Sequence, residues 1–155
     1  MGGLSGFVED DGYTETAYLA GDAALRPLRF RYRPTVAQEL DRYDRGAAKF
    51  KERAALIDYA AAWAAGRILD WTLEDQKGAP VAVSAATISN LPQRRFYRLV
   101  SVLLGHEAPD ADPEWTPEQA EQEWADRQAA EAQCKPLAVY RAERDAKNSP
   151  AESRS

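Results

Sequence analysis

The sequence predicts a mainly α, α+β fold: a small N-terminal β-hairpin of two or three strands on a helical core, then an acidic C-terminal helix and a disordered tail. Three observations lead to this fold class. Residues near the N-terminus alternate as a strand does, alanine-rich helical periodicity fills the middle, and a strong helix-start signal opens the acidic last third. A chain of 155 residues, 45% of them hydrophobic, can bury a core without disulfides or metals.

Composition divides the chain into four parts. Residues 1–12 are glycine-rich and acidic and are expected to form a flexible arm, and residues 13–105 a single globular domain. Residues 106–146 combine a linker with a C-terminal helical extension, and residues 147–155 are expected to be a disordered tail.

The clearest strand is the stretch "LRFRYR" at residues 28–33. Successive strand side chains point to opposite faces, so the apolar residues share one face and Arg29, Arg31 and Arg33 share the other. Paired with the extended residues 13–20, this strand predicts a hairpin. The arginine row suits an acidic segment of a partner, or it protects the strand edge from unwanted pairing. Binding along a nucleic-acid backbone is less favoured, because the aromatic residues that would stack bases face the other way.

Helices are expected to follow. Thr35 is the predicted N-cap of a helix over residues 36–45, with Gln38 as its capping-box partner. An alanine-rich apolar stripe then predicts a long central helix over residues 47–70. After a packing corner at Trp71, residues 81–83 are expected to form a third strand.

Two further helices are expected before the linker. Ser84 is a predicted cap for a short one, and residues 93–104 form an amphipathic one that Gly105 ends.

The C-terminal extension begins with a strong helix signal. Thr116 is the expected N-cap, Pro117 the first helical residue and Gln119 the capping-box partner, for a helix that reaches residue 133. Apart from alanine it has few apolar residues, so it either docks through Trp115 and Trp124 or stands in solvent.

The charge is unevenly distributed. The net charge of −5 divides into −5 for residues 1–25, +5 for residues 26–67, +1 for residues 68–105 and −6 for residues 106–155. The basic segment can meet either an acidic partner or the acidic ends of its own chain.

The sequence offers no catalytic chemistry. Its one histidine, His106, and its one cysteine, Cys134, lie in different segments, and no phosphate-binding glycine motif or calcium loop occurs. We therefore expect a non-enzymatic protein without metal or cofactor. With no signal peptide and no apolar run long enough for a membrane span, the expected place is the cytoplasm, away from membranes.

Three local patterns occur together in residues 13–105. An arginine-rich strand, "LRFRYRP", enters a helix; a W-x-x-x-D-x-x-G-x-P-V turn starts at Trp71; and a short helix ends in Leu91-Pro92. In this arrangement the chain resembles the tail assembly chaperones and related small tail proteins of long-tailed bacteriophages and prophages.

The resemblance implies a mainly helical, non-enzymatic protein of the host cytoplasm that binds the tape measure protein, the tail tube protein or both during tail assembly. An apolar groove beside the central helix would hold the client, and the candidates to line it are Tyr43, Phe50, Trp63 and Phe96. Two alternatives stay open. One is a structural virion protein of the neck or tail-completion type that self-associates; the other is a nucleic-acid-binding regulator that uses the arginine row, which the overall acidity disfavours.

Overall fold

The computed structural model describes residues 13–148. The predicted flexible arm and nearly all of the predicted tail lie outside this range. Within it the chain forms three strands and six helices, which confirms the α+β, mainly helical fold class. The elements are β1 (Glu15–Leu19), β2 (Leu28–Tyr32), α1 (Ala37–Ala47), α2 (Arg53–Arg67), β3 (Ile68–Trp71), α3 (Ala85–Ser89), α4 (Gln93–Leu104), α5 (Pro117–Ala132) and α6 (Leu137–Lys147).

The chain separates into two compact units, which divide after Pro113. Residues 106–113, expected to be part of a linker, are bonded to the first unit. The Asp110 N–H donates to the Tyr18 carbonyl over 2.9 Å, and the Asp110 carboxylate accepts from the Ala20 N–H over 2.8 Å. The second unit contains α5 and α6.

The sheet is antiparallel, with its strands in the order β1-β2-β3. Its first hairpin is the predicted one, with Glu15 opposite Tyr32 and Leu19 opposite Leu28. The alternation of β2 has the expected effect: its three apolar side chains are buried, with Phe30 fully inaccessible.

The third strand is β3, and the prediction of residues 81–83 was wrong. The central helix ends at Arg67 rather than continuing to residue 70, because the free edge of β2 pairs with the chain that follows. The Arg33 N–H donates to the Arg67 carbonyl over 3.0 Å, and the Thr72 N–H donates to the Arg29 carbonyl over 2.9 Å. Ladder bonds thereby replace the helical ones that the apolar spacing had suggested.

The start of α1 lies one residue later than predicted. Val36, not Thr35, is the N-cap, and Glu39 supplies the side chain that accepts from the Val36 N–H over 3.1 Å. The hydroxyl of Thr35 instead donates to the carbonyl of Leu103 over 2.8 Å. Thr35 therefore ties the strand-to-helix connection to the end of α4.

The core lies between the sheet and helices α2, α3 and α4. Three alanines of α2, Ala60, Ala61 and Ala64, are buried and allow neighbouring elements to approach its backbone closely. Ile88 of α3 and Leu99 of α4 are fully inaccessible and fill the space opposite.

Trp71 is the packing corner that the sequence predicts. The side chain is buried, and its indole N–H donates to the Val81 carbonyl over 2.6 Å. The turn that follows is closed by Asp75, whose carboxylate accepts from the N–H groups of Lys77 and Ala79. The corner is therefore a structural element.

In the second unit α5 begins as predicted. The Thr116 hydroxyl accepts from the Gln119 N–H, and the Gln119 side chain accepts from the Thr116 N–H. The sequence did not single out α6 as a separate helix. Its Arg141 and Arg144 bind the carboxylate of Asp126 on α5, so that charge pairing holds the two helices together.

Candidate partner-binding site

A solvent-open cleft lies between helices α1 and α2, and aromatic rings form its base. We call this the aromatic cleft; the residues that line it are Glu39, Arg42, Tyr43, Tyr59, Trp63 and Arg67. Three come from α1, where Arg42 and Tyr43 follow Glu39 by three and four positions, and three come from α2 at intervals of four, so that one face of each helix supplies its wall.

The rings of the aromatic cleft contact one another. The ring centroid of Tyr43 lies 5.0 Å from that of Trp63, in an edge-to-face arrangement, and 5.2 Å from that of Tyr59. Phe50, on the loop between the helices, extends the row because its ring lies 5.2 Å from Tyr59. Tyr43 is buried, Trp63 and Tyr59 are half-buried, and Phe50 is 39% exposed. The row therefore runs from the core to the surface.

The position of Tyr59 depends on a glycine of α1. A Cβ at Gly46 would overlap the Tyr59 hydroxyl and lie 2.7 Å from its Cζ. The absence of a side chain lets that hydroxyl reach the backbone of α1, where it donates to the Tyr43 carbonyl over 3.1 Å. Gly46 thus brings the two walls together.

The rim combines an ion pair between Arg67 and Glu39 with a further cation, Arg42. Arg67 donates to both carboxylate oxygens of Glu39, over 2.9 and 3.0 Å, and its guanidinium lies 5.5 Å from the Trp63 ring centroid. Burial by itself raises the pKa of Glu39, but hydrogen bonds from Val36 and Arg67 outweigh it and hold that pKa below its ordinary value. Glu39 is therefore a carboxylate at neutral pH, neutralised by Arg67.

Arg42 supplies the remaining charge. Its side chain is exposed and makes no hydrogen bond or ion pair with any of residues 13–148. With Glu39 and Arg67 compensating each other, the rim carries a net positive charge.

The size of the aromatic cleft decides what it can hold. Its volume is about 220 Å³. Pockets for small-molecule ligands and cofactors typically measure about 300–1,000 Å³. The aromatic cleft is below that range and open to solvent, which suits one anchoring side chain of a larger partner better than an enclosed metabolite.

Of the predicted groove residues, the structure brings together Tyr43, Phe50 and Trp63. Phe96 does not belong with them: it is 5% exposed on α4 and forms part of the core. Sequence reasoning missed Tyr59, although its spacing of four residues from Trp63 places both on one face of α2.

The arginine row does not form a uniform exposed surface. Arg29 binds Asp112 through two hydrogen bonds of 2.7 and 2.9 Å and covers the Tyr18 ring at 4.8 Å. Arg31 is half-buried, with an Nε atom that has no hydrogen-bond partner, and Arg33 is exposed. The first of the three therefore pairs with an acid of its own chain.

The predicted docking residues of the C-terminal helix contact each other. The rings of Trp115 and Trp124 meet edge to face, with centroids 5.6 Å apart, and Trp124 is 2% exposed. Their contact lies within the second unit, at the first half of α5.

Residues 13–148 include neither a metal-binding group of side chains nor a helix that could cross a membrane. In that range, no set of three or more His, Cys, Asp or Glu residues is grouped as a metal ion would need. Among the helices described, none is both long and apolar enough to cross a membrane. Comparisons of the chain with protein-family models, curated proteins and solved structures found no match.

Proposed function

We propose that this chain is a non-enzymatic binding protein whose aromatic cleft holds an apolar anchor of a partner protein, in the role of a phage tail assembly chaperone. The client would be a tape measure or tail tube protein that has not yet been assembled. The specific role comes from the resemblance in residues 13–105.

The observation that carries the proposal is the graded row of rings from Tyr43 to Phe50. Buried aromatic residues fix the inner end, while Phe50 offers its ring to solvent. Leu56, 37% exposed, lies three residues before Tyr59 on α2 and therefore on the same side of that helix. Exposed apolar residues next to an aromatic pocket are typical of surfaces that bind proteins, where a few anchors supply most of the affinity.

The amphipathic helix of a client is a suitable occupant. Its apolar residues at positions i, i+3 and i+4 would place one side chain in the aromatic cleft and a neighbour on Phe50. The client helix would leave this chain when tail assembly buries the same apolar face against another tail protein. This explains a transient complex without any covalent chemistry.

A nucleic-acid-binding role receives less support. Binding along a phosphate backbone needs several unpaired cations in a row. Arg29 is instead paired with Asp112, with only 13% of its side chain exposed.

The test is affinity capture from host lysate during phage induction, with the full chain as bait and mass spectrometry to identify what binds. We expect the chain to capture a very long helical protein or a tail tube subunit. We also expect Phe50→Ala to reduce the captured amount about fivefold or more, because it removes an exposed anchor, and the chain to be missing from purified particles.

Leu69→Ala is the matched control, since Leu69 is also 39% exposed but lies on β3. It should capture as much client as the unmodified chain. Equal capture by Phe50→Ala and the unmodified chain would remove the aromatic cleft from the proposal. Recovery of the chain in finished virions would favour the structural virion protein.

A further inference from the structure

We propose that the N-terminal arm of this chain, residues 1–12, occupies the aromatic cleft when no client is bound, with Phe7 as its anchor. The arm would then be an internal competitor that a client must displace. The competition rests on the proposed function, whereas the docking of the arm does not.

The start of β1 lies at the end of the sheet where Arg33 is bonded to Arg67, a residue of the aromatic cleft. Glu15, the first residue of β1, lies opposite Tyr32 and accepts a hydrogen bond from its hydroxyl over 3.2 Å. The chain just beyond Tyr32 is bonded to Arg67, which donates to the Pro34 carbonyl over 2.8 Å. The arm therefore joins the sheet at the same end at which Arg67 lines the aromatic cleft.

The distance is within reach. Neighbouring strands lie about 5 Å apart, so Arg67 is about 10 Å across the sheet from the start of β1. From Arg67 back to Tyr59 is roughly 12 Å along α2, at about 1.5 Å per residue. Taken one after the other, the two legs sum to about 22 Å. Phe7 lies eight positions before Glu15, the start of β1, and an extended chain of eight residues spans about 26 Å.

The charges of the two segments are complementary. Residues 1–12 include Glu9, Asp10 and Asp11 and no basic residue. At the rim, the exposed Arg42 forms no ion pair with the described part of the chain, and neither does the exposed side chain of Arg33. An acidic segment passing Arg33 toward Arg42 would therefore gain favourable charge contacts in addition to the attraction between Arg42 and Glu39.

The arm also contains an anchor of suitable chemistry. Phe7-Val8 stands immediately before the acidic run, in a segment otherwise rich in glycine. A phenyl ring fits the available volume and can pack edge to face on Tyr59 and Trp63. The order of apolar anchor, acids and strand matches the order of ring floor, basic rim and sheet.

The test is NMR on the full chain, with labels on the Phe7 ring and on the Trp63 indole. We expect NOEs from the Phe7 ring to the rings of Trp63 and Tyr59, and a shift of the Trp63 signal in the variant Phe7→Ala. A synthetic peptide of residues 1–12, added to Phe7→Ala, should reverse that shift. Arg42→Glu in that background should weaken peptide binding about threefold to tenfold, and added salt should weaken it too.

Leu4→Ala is the matched control and should leave the Trp63 signal in place. The proposal is overturned if Phe7 shows no NOE to the cleft rings and Phe7→Ala leaves their signals unchanged. NOEs that appear only between labelled and unlabelled copies would assign the cleft to the arm of a second molecule, which also overturns it. Client capture is measured separately, so arm docking and the proposed function fail independently.

Discussion

Arg29 donates two hydrogen bonds to the carboxylate of Asp112, 83 residues later in the sequence. The Nε–Oδ2 distance is 2.7 Å and the Nη2–Oδ1 distance is 2.9 Å. Both side chains are largely withdrawn from water, with 13% and 15% of their surface exposed. The pair fastens residues 106–113 to the outer face of β2. It also explains why the first compact unit extends to Pro113.

We expect Asp112→Asn to lower the free energy of unfolding by about 1–3 kcal/mol, because it removes the negative charge of a shielded ion pair. Urea denaturation followed by circular dichroism measures the change. The control is Asp41→Asn, which breaks the exposed pair between Asp41 and Arg45 and should cost less than about 0.5 kcal/mol. Equal effects of the two substitutions would contradict the role given to Arg29.

Acid should loosen the second unit through Asp126. Burial alone raises the pKa of this carboxyl, but hydrogen bonds from Gln122, Arg144 and Arg141 outweigh it and hold the pKa below its ordinary value. A depressed pKa contributes stability that is complete above about pH 5 and is lost as the pH falls below about 4. Near-UV circular dichroism of the Trp115–Trp124 pair should report that loss.

The variant Asp126→Asn checks the assignment. The asparagine side chain cannot ionise, so the near-UV signal of this variant should vary less between pH 5 and pH 3. The variant should also be less stable than the unmodified chain at neutral pH. A variant with the same acid transition as the unmodified chain would show that other carboxylates cause it. Arg45→Gln, which removes an exposed arginine of α1, serves as the control and should keep the original transition.

Two helical glycines should respond oppositely to alanine. At Gly66 a Cβ meets nothing within 4 Å, so Gly66→Ala should stabilise α2 by about 0.5–1 kcal/mol. At Gly46 the added Cβ displaces the Tyr59 ring and breaks its bond to the Tyr43 carbonyl, so Gly46→Ala should lower stability and client capture together. Thermal unfolding and the capture assay measure both, and stabilisation by Gly46→Ala would disprove the contact.

Cys134 adopts a backbone conformation that favours glycine. Its φ is +55°, and the following Lys135 N–H donates to the Ala130 carbonyl, just as Gly105, at +82°, precedes the bond from His106 to Ser101. Cys134→Gly should therefore stabilise the α5–α6 connection by about 1 kcal/mol, because glycine has no left-handed penalty. In urea denaturation Cys134→Ala, which keeps the Cβ, should leave the midpoint nearly unchanged.

Local sequence patterns were sufficient to predict those elements that depend only on a few adjacent residues. The alternation of β2 and the capping box at Thr116 are properties of a few adjacent residues, and both appear as predicted. The end of the central helix is different. Ile68 fits the apolar stripe of a helix and equally fits a buried strand position, and only pairing with β2 decides between the two.

The candidate site was only partly predicted, because some of its contacts depend on how separate helices pack together. The sequence was enough to propose Tyr43, Phe50 and Trp63, because large aromatic residues near the central helix are candidates for lining a groove. The burial of Phe96 depends on how α4 packs against the core, and the contact of Tyr59 with Gly46 joins two helices. Neither relation is visible in residue spacing. The contact of α6 with Asp126 likewise joins two helices.

The two walls of the aromatic cleft differ in mechanical freedom. Arg67 ends α2 and Ile68 begins β3, so the helix continues directly into the strand with no loop between them. A movement of α2 would pull β3 along β2 and break ladder bonds, whereas α1 is separated from β2 and from α2 by the loops at residues 33–36 and 48–52. We therefore expect a bulkier occupant to displace α1 rather than α2.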